Sequence, residues 1–178
     1  MIYLIGGSSH VGKTYISQKL IERYHYPCTS LDHLKMGFIR TGKTNLTVED
    51  DYEMRYFLWP FVAEMIKTAI ENNQNLIIEG CYIPGEWQQS FEASYLEHIR
   101  CVFVVMSSNY IRTHADLIAL HASVIERRIN DEIDIERLTY CSENFKAEAV
   151  KYGFPYYEIT EEYNIDKIME EITKILES

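Results

Sequence analysis

The sequence predicts an α/β domain in which a five-stranded parallel sheet is covered by helices on both faces. Short apolar runs alternate along the chain with longer segments of helical periodicity, and this order is typical of parallel sheets. The chain has 178 residues, of which 47% are hydrophobic and 25% are charged, as in ordinary soluble globular domains. We therefore expect one domain over residues 1–178.

The first part of the chain alternates strands and helices. Ile16, Leu20 and Tyr24 recur at fourfold spacing and predict one face of an amphipathic helix. The elements expected here are a strand at 2–5, a helix at 13–24, a strand at 28–31, a short helix at 33–39 and a polar loop at 40–46.

A long helix is expected next. Thr47 is followed three residues later by Asp50, a variant of the capping box, and the helix should run from there to about Asn72. Pro60 lies inside this stretch and should kink or divide the helix. The later elements expected are a strand at 75–79, a turn at Pro84-Gly85, a helix at 86–97, a strand at 99–106, a helix capped by Ser107, Ser108 or Asn109, a helix at 135–152 ending at Gly153, a strand at 156–159 and a helix at 164–177.

The net charge and the cysteine pattern limit the binding partners and the cellular compartment that we expect for this protein. A net charge of −10 argues against nucleic-acid binding, because an acidic surface repels phosphates unless basic residues are segregated. The four cysteines form no CxxC pair and no zinc-ligand pattern, which favours a reduced, cytoplasmic setting. No stretch approaches the ~18 apolar residues of a membrane span, so we expect no membrane partner. The oligomeric state stays open.

The most specific motif is Gly-Ser-Ser-His-Val-Gly-Lys-Thr at 7–14, which matches G-x-x-x-x-G-K-[ST] between a strand and a helix. Its glycines permit a tight turn whose N–H groups bind phosphate oxygens. Lys13 would neutralise the β- and γ-phosphates, and Thr14 would offer a hydroxyl to Mg²⁺. We therefore expect a nucleoside triphosphate, ATP with magnesium, bound by Gly7, Ser8, Ser9, His10, Val11, Gly12, Lys13 and Thr14.

Other nucleotide-binding classes fit less well. The sequence has no Asn-Lys-x-Asp segment that reads guanine and no D-x-x-G switch, which disfavours a GTPase. The chain is also short for a ring ATPase, which usually carries an extra helical subdomain. His10 either fills space in the loop or touches a phosphate.

The run 5–14, followed by Leu31-Asp32-His33, resembles the small P-loop kinases, which include adenylate, shikimate, gluconate and chloramphenicol kinases and proteins labelled 2-phosphoglycerate-kinase-like. The layout is similar over nearly the whole chain. The resemblance implies a three-layer α/β/α P-loop NTPase fold with strand order 2-3-1-4-5. It also implies a segment at about 33–72 that covers the acceptor, and a helical lid at about 112–134.

The resemblance implies ATP-dependent transfer of the γ-phosphoryl group to a small-molecule acceptor. Asp32 would position or deprotonate the acceptor, or act through magnesium, unless it only caps the next helix. Glu79 would hold magnesium through water or orient the acceptor, unless it forms a structural salt bridge. Gly80 would let the substrate approach closely. Family members more often have Asp or a Gly-rich turn at the Glu79 position.

Basic residues are the remaining candidates. A lid arginine, Arg127 or Arg128, would stabilise the transferring group, or else belongs to a solvated helix. Residues that could contact the acceptor are His33, Lys35, Arg40 and Arg55. The adenylate-kinase lid signature is absent, which weakens a nucleoside monophosphate kinase as the first alternative. A nucleotide-binding regulatory protein without catalysis is the second alternative, and the acceptor stays unidentified.

Overall fold

Five parallel strands form one sheet in the order β2-β3-β1-β4-β5. The structure, a computed structural model, describes residues 1–121 and 134–178. The strands are β1 (Ile2–Gly7), β2 (Cys28–Ser30), β3 (Leu76–Glu79), β4 (Ile99–Met106) and β5 (Tyr156–Ile159). The predicted parallel sheet and its strand order are confirmed, with β1 in the centre.

Helices follow the strands and cover both faces of the sheet. They are α1 (Lys13–Tyr24), α2 (Leu31–Arg40), α3 (Asp51–Glu71), α4 (Ala93–Leu96), α5 (Ser108–Thr113), α6 (Ala115–His121), α7 (Ile135–Tyr152) and α8 (Ile165–Glu177). Helices α1 and α7 have the predicted bounds, and Ser107 is the residue that caps α5, with its hydroxyl accepting from the N–H of Tyr110. None of the helices in these described ranges has the length and apolarity needed to cross a membrane.

The single helix predicted at 86–97 is wrong. The segment instead forms a 3₁₀ turn at Trp87–Ser90 and the short helix α4. Between them Phe91 adopts an extended conformation (φ −132°, ψ 141°). Its ring is buried and lies edge-on against Trp59 and Trp87. The burial of one aromatic ring therefore interrupts a helix that local periodicity favours.

The start of α3 also differs from the prediction. Thr47 and Asp50 do interact, since the backbone N–H and the hydroxyl of Thr47 donate to one carboxylate oxygen of Asp50 at 2.7 and 2.8 Å. This contact closes a turn that precedes the helix, and α3 begins only at Asp51. Pro60 does not divide α3. The carbonyl that lacks its helical donor belongs to Tyr56 on the exposed face, where water can replace the missing bond.

The two faces of the sheet carry separate hydrophobic cores. In β1, Ile2 and Leu4 pack in the core shared with α3 and α7, whereas Tyr3 and Ile5 pack in the core shared with α1 and α8. Because both faces are covered, the strand is apolar throughout rather than alternating. Side chains at the end of each strand therefore point to either the α1 side or the α3 side of the sheet.

A partly buried ion pair joins α3 to α7. Two guanidinium nitrogens of Arg55 donate to the two carboxylate oxygens of Glu148 at 2.8 and 2.6 Å. The Nε and one terminal nitrogen of Arg55 also donate to the carbonyl of Ile83, and the guanidinium lies 4.7 Å from the ring centroid of Phe145. The pair therefore holds α3 against α7 at this point.

We expect the substitution Glu148→Ala to lower the free energy of unfolding by about 3 kcal/mol, because it leaves a buried guanidinium charge without its counter-ion. Urea denaturation of both proteins measures this. The control Glu22→Ala removes the exposed partner of Lys19 and should leave the midpoint unchanged. Equal free energies of unfolding for wild type and Glu148→Ala would show that this ion pair does not stabilise the fold.

Candidate functional site

The turn between β1 and α1 has the backbone geometry of a phosphate-binding loop. Gly7 (φ 119°), His10 (φ 65°) and Gly12 (φ 83°) all have left-handed or related positive φ angles. A Cβ atom on Gly7 would lie only 1.9 Å from the carbonyl oxygen of Val104 in β4. The chain can therefore turn tightly out of the sheet, and α1 starts directly after the turn with its first N–H groups facing it.

The side chains of Lys13 and Ser8 form hydrogen bonds that fix their positions at this turn. Lys13 is 7% exposed, and its Nζ donates to the carbonyl of Ser8 at 2.7 Å. The Ser8 hydroxyl donates to the Ser142 hydroxyl on α7 at 3.2 Å. Ser142 in turn accepts from the N–H of Met106 and donates to its carbonyl, both at 2.8 Å. The position of the Lys13 ammonium group is thus tied through α7 to the end of β4.

The other residues of the motif have different surroundings. Val11 is fully buried in the core against α1, so that only its backbone can face a phosphate. Ser9, His10 and Thr14 are half-buried. The Ser9 hydroxyl lies 3.7 Å from the Cys81 thiol, which joins the loop to the segment that follows β3.

Acidic residues lie at the carboxyl ends of β3, which pairs with β1, and of β2, which pairs with β3. Glu79 ends β3, is 2% exposed, and pairs in register with Ile5. Alternation along β3 places Glu79 with Ile77 on the α1 side of the sheet. Burial, followed by the negative charge of Glu79, raises the pKa of the Cys28 thiol to about 11. The carboxylate of Glu79 therefore lies on the side where α1 begins with Lys13.

Asp32 and Gly80 lie on the neighbouring part of this edge. Asp32 is half-buried in the first turn of α2, which starts two residues earlier than predicted, at Leu31. Gly80 has φ 151°, and a Cβ atom there would lie 2.8 Å from the Cβ of Leu31. Close packing against α2 therefore accounts for the glycine.

A second polar cluster lies on the α3 side of the same edge, and we call Lys35, Asp51, Tyr82 and Arg137 the Lys35 cluster. The Lys35 Nζ donates to Asp51 Oδ1 at 2.9 Å, to the Tyr82 hydroxyl at 2.5 Å and to the carbonyl of Val48 at 3.2 Å. The Tyr82 hydroxyl donates to Asp51 Oδ1 at 2.8 Å. Arg137 donates to Asp51 Oδ2 at 3.1 Å.

The position of Asp32 relative to this cluster follows from the electrostatics of Tyr82. Burial raises the pKa of Tyr82 far above its usual value, and the negative charges of Asp51 and Asp32 add to the shift. Cys81 comes directly before Tyr82 and contacts Ser9 of the loop. Asp32, the Lys35 cluster and the phosphate-binding loop therefore lie near one another at the carboxyl edge of the sheet, where open α/β sheets bind ligands.

Several candidates lie elsewhere. Arg55 is 7% exposed, and its guanidinium is engaged by Glu148 and by the Ile83 carbonyl in this structure. Arg40 is exposed at the far end of α2, about 12 Å along the helix from Asp32 at the usual rise per residue. His33 is exposed beside Asp32. Arg127 and Arg128 lie outside the described residues.

Asp51, Tyr82 and Arg137 are site residues that were not predicted from the sequence. The sequence contains a signal that could have identified Tyr82 as a site residue, because Tyr82 follows Glu79-Gly80 at the end of a buried strand. It contains no such signal for Asp51 and Arg137, since 86 residues separate them and no local pattern links them. A further unpredicted feature is Tyr163, whose hydroxyl lies 2.2 Å from the place that a Cβ on Gly12 would take.

Comparisons with known proteins agree with the fold. No protein-family model matches the sequence, and no curated protein matches it. A shikimate kinase from Bacteroides thetaiotaomicron superposes with a TM-score of 0.58 at 14% identity over 100% of this chain and 99% of that chain. A sugar kinase from Janibacter sp. HTCC2649 gives 0.58 at 14% identity over 99% and 94%. A deoxyadenosine kinase from M. mycoides with bound dATP gives 0.53 at 18% identity over 100% of both chains. The chain thus has the fold of the P-loop small-molecule kinases.

The raised pKa of Cys28 leads to a test of the charge on Glu79. Because the thiolate is the nucleophile, alkylation of Cys28 by iodoacetamide should accelerate with pH up to about 11 rather than level off at the ordinary cysteine value of 9.0. The substitution Glu79→Gln removes a negative charge that opposes ionisation, so the midpoint should move to lower pH. Mass spectrometry of the labelled peptides over a pH series gives both midpoints.

The matched control is Glu158→Gln on β5, the edge strand farthest from β2. It should leave the Cys28 midpoint where it is in the wild type. If Glu79→Gln also leaves the midpoint unchanged, then the Glu79 carboxylate is not charged beside Cys28.

Proposed function

We propose that the protein is a kinase that transfers the γ-phosphoryl group of ATP to a hydroxyl group of a small molecule, with magnesium as the metal ion. The observation that carries this proposal is the contact between the phosphate-binding loop and the segment after β3. Lys13 at the end of the loop, Asp32 and the Lys35 cluster all lie near this contact, at one edge of the sheet. One group of residues can hold the donor there while the other receives the acceptor.

The donor side uses the loop and the start of α1. Backbone N–H groups of the loop and the positive end of α1 would bind the phosphates, and the Lys13 ammonium group would exchange its bond to the Ser8 carbonyl for phosphate oxygens. Thr14 and, through water, the buried carboxylate of Glu79 fit magnesium, which takes its other ligands from phosphates and water. When bound, magnesium neutralises charge on the β- and γ-phosphates.

The acceptor side is built around Asp32. Its carboxylate would orient the acceptor hydroxyl, and it would take the proton as the acceptor oxygen bonds to the γ-phosphorus and the bond from that phosphorus to the oxygen of ADP breaks. The segment at about 33–72, which forms α2 and α3, would cover the acceptor. The lid at about 112–134, with Arg127 or Arg128, would close over the phosphates and exclude water.

Replacing Asp32 with Asn should lower kcat by about 10²–10⁴-fold while leaving the affinity for Mg·ATP nearly unchanged, because only acceptor activation is lost. Replacing Lys13 with Ala should abolish nucleotide binding and turnover, because it removes the cation that faces the phosphates. Acceptor-stimulated ADP release from a panel of hydroxy metabolites measures turnover, and calorimetric titration with Mg·ATP measures binding.

The control Glu97→Gln removes an exposed carboxylate just before β4, at the opposite end of the sheet, and should behave as the wild type. Nucleotide binding that is equally tight in wild type and Lys13→Ala would refute the kinase proposal. Binding without acceptor-dependent turnover across the panel, with Asp32→Asn unchanged, would favour a regulatory nucleotide-binding protein instead.

A further inference from the structure

The ladder of hydrogen bonds between β1 and β4 stops at Ser8. Gly7 pairs with Val104, and the N–H of Ser8 donates to the Val104 carbonyl at 3.2 Å. In a parallel ladder the bonds are evenly spaced and alternate in direction between the two strands. Since Met106 lies two residues after Val104, the next bond of this ladder would run from the N–H of Met106 to the carbonyl of Ser8.

The structure contains a different pair of bonds at this point. The N–H of Met106 donates to the Ser142 hydroxyl at 2.8 Å, and the Ser8 carbonyl accepts from Lys13 Nζ at 2.7 Å. The carbonyl of Met106, which points to the same side of β4, accepts from the same Ser142 hydroxyl at 2.8 Å. One side chain of α7 thus makes both bonds that a longer β1 would have made with Met106.

The Ser142 hydroxyl uses its whole bonding capacity here. A serine hydroxyl has one proton to donate and two lone pairs that accept. It donates to the carbonyl of Met106, and it accepts from the N–H of Met106 and from the Ser8 hydroxyl at 3.2 Å. Ser8 and Ser142 are 0% and 1% exposed, so that bulk water does not compete for these bonds. A side chain without a hydroxyl cannot make any of the three.

Loss of this hydroxyl would favour the continuation of the ladder. Met106 is buried, and a buried N–H without an acceptor costs more free energy than an ordinary hydrogen bond contributes. The acceptor next in the ladder is the Ser8 carbonyl, which would turn from Lys13 to Met106. The peptide group that joins Ser8 to Ser9 is planar, so turning its carbonyl also turns the Ser9 N–H. The Lys13 contact and one N–H group of the phosphate-binding loop would therefore change together.

We propose that Ser142 is a positioning residue for the phosphate-binding loop. Its hydroxyl takes the place of β1 beside Met106, and the Ser8 carbonyl is thereby left to accept from Lys13. This inference rests on the proposed kinase function, because it assigns the shape of the loop to nucleotide binding. Ser142 acts through its neighbours and not on a phosphate, since it is buried. It makes α7 part of the nucleotide site although 134 residues separate it from Ser8.

Replacing Ser142 with Ala should weaken the binding of Mg·ATP by roughly tenfold, the factor that corresponds to about one net hydrogen bond. Calorimetric titration measures the Kd. KM for ATP should rise by a similar factor with little change in kcat, because the loop must reopen before the nucleotide binds and has its normal geometry afterwards. Binding is measured far below the melting temperature, where both proteins are folded, so lower stability alone leaves the Kd unchanged.

The matched control is Thr139→Val. Thr139 lies one turn before Ser142 on α7 and is buried, and its hydroxyl has no hydrogen-bond partner in the part of the chain that the structure describes. Its removal should leave the Kd for Mg·ATP at the wild-type value. Ser142→Thr keeps a hydroxyl and should bind nearly as the wild type, whereas Ser142→Cys, whose thiol is a weak donor and acceptor, should be intermediate. Wild-type affinity in Ser142→Ala would overturn the proposal.

Crystal structures of wild type and Ser142→Ala without nucleotide test the loop itself. The expected change is a Ser8 carbonyl that accepts from Met106, and an unchanged bond between Ser8 and Lys13 would overturn the proposal. If Ser142→Ala does not fold, Ser142→Cys takes its place in both measurements, and wild-type affinity in that variant would overturn the proposal in the same way.

The failures of the two proposals are distinguishable. If wild type does not bind Mg·ATP, the kinase proposal fails, and the crystal structures still decide whether Ser142 shapes the loop. If wild type binds Mg·ATP and Ser142→Ala binds it equally tightly, only the proposal for Ser142 fails.

Discussion

The close approach of the end of β1 to the backbone of β4 is the constraint on which the rest of the structure depends. Gly7 is paired with Val104, and the next residue, Ser8, donates its N–H to the Val104 carbonyl at 3.2 Å. Any side chain on Gly7 would collide with that carbonyl. Because β1 is the central strand, this contact makes the chain leave the sheet in its middle, between the ends of β3 and β4. The phosphate-binding loop is placed there as a consequence.

Once the loop occupies the middle of the edge, the neighbouring strands decide which chemistry is available. Glu79 ends β3 on the α1 side, where the first turn of α1 begins, and Asp32 follows β2, the strand beyond β3 on the same side of β1. Tyr82 follows β3 on the side of α3, and its hydroxyl forms hydrogen bonds with Lys35 and Asp51. Glu79 thus lies on the α1 side of this edge, as the alternation of side chains along β3 requires. Tyr82, Lys35 and Asp51 lie on its α3 side.

The ion pair between Arg55 and Glu148 joins α3 to α7 through a buried guanidinium group. Only four residues before Arg55 on α3, Asp51 meets α7 through an exposed contact with Arg137. The same two helices are thus joined by a doubly bonded, partly buried pair and by a single exposed contact. The hydrophobic residues of α3 add to the packing at the first pair, since Met54 and Leu58 are fully buried.

The sequence by itself determined the parallel α/β architecture, the strand order by resemblance, and a glycine-rich turn followed by Lys13. These features depend on periodicity, on glycine backbone angles and on neighbours within a few residues, which a sequence displays directly. The tertiary structure alone decided that Phe91 breaks a helix, that α3 starts at Asp51, and that Arg55 is buried. It alone brought together Asp51 and Arg137, which are 86 residues apart. Contacts at such separations depend on how whole helices pack across the sheet, and no local pattern in the chain encodes that packing.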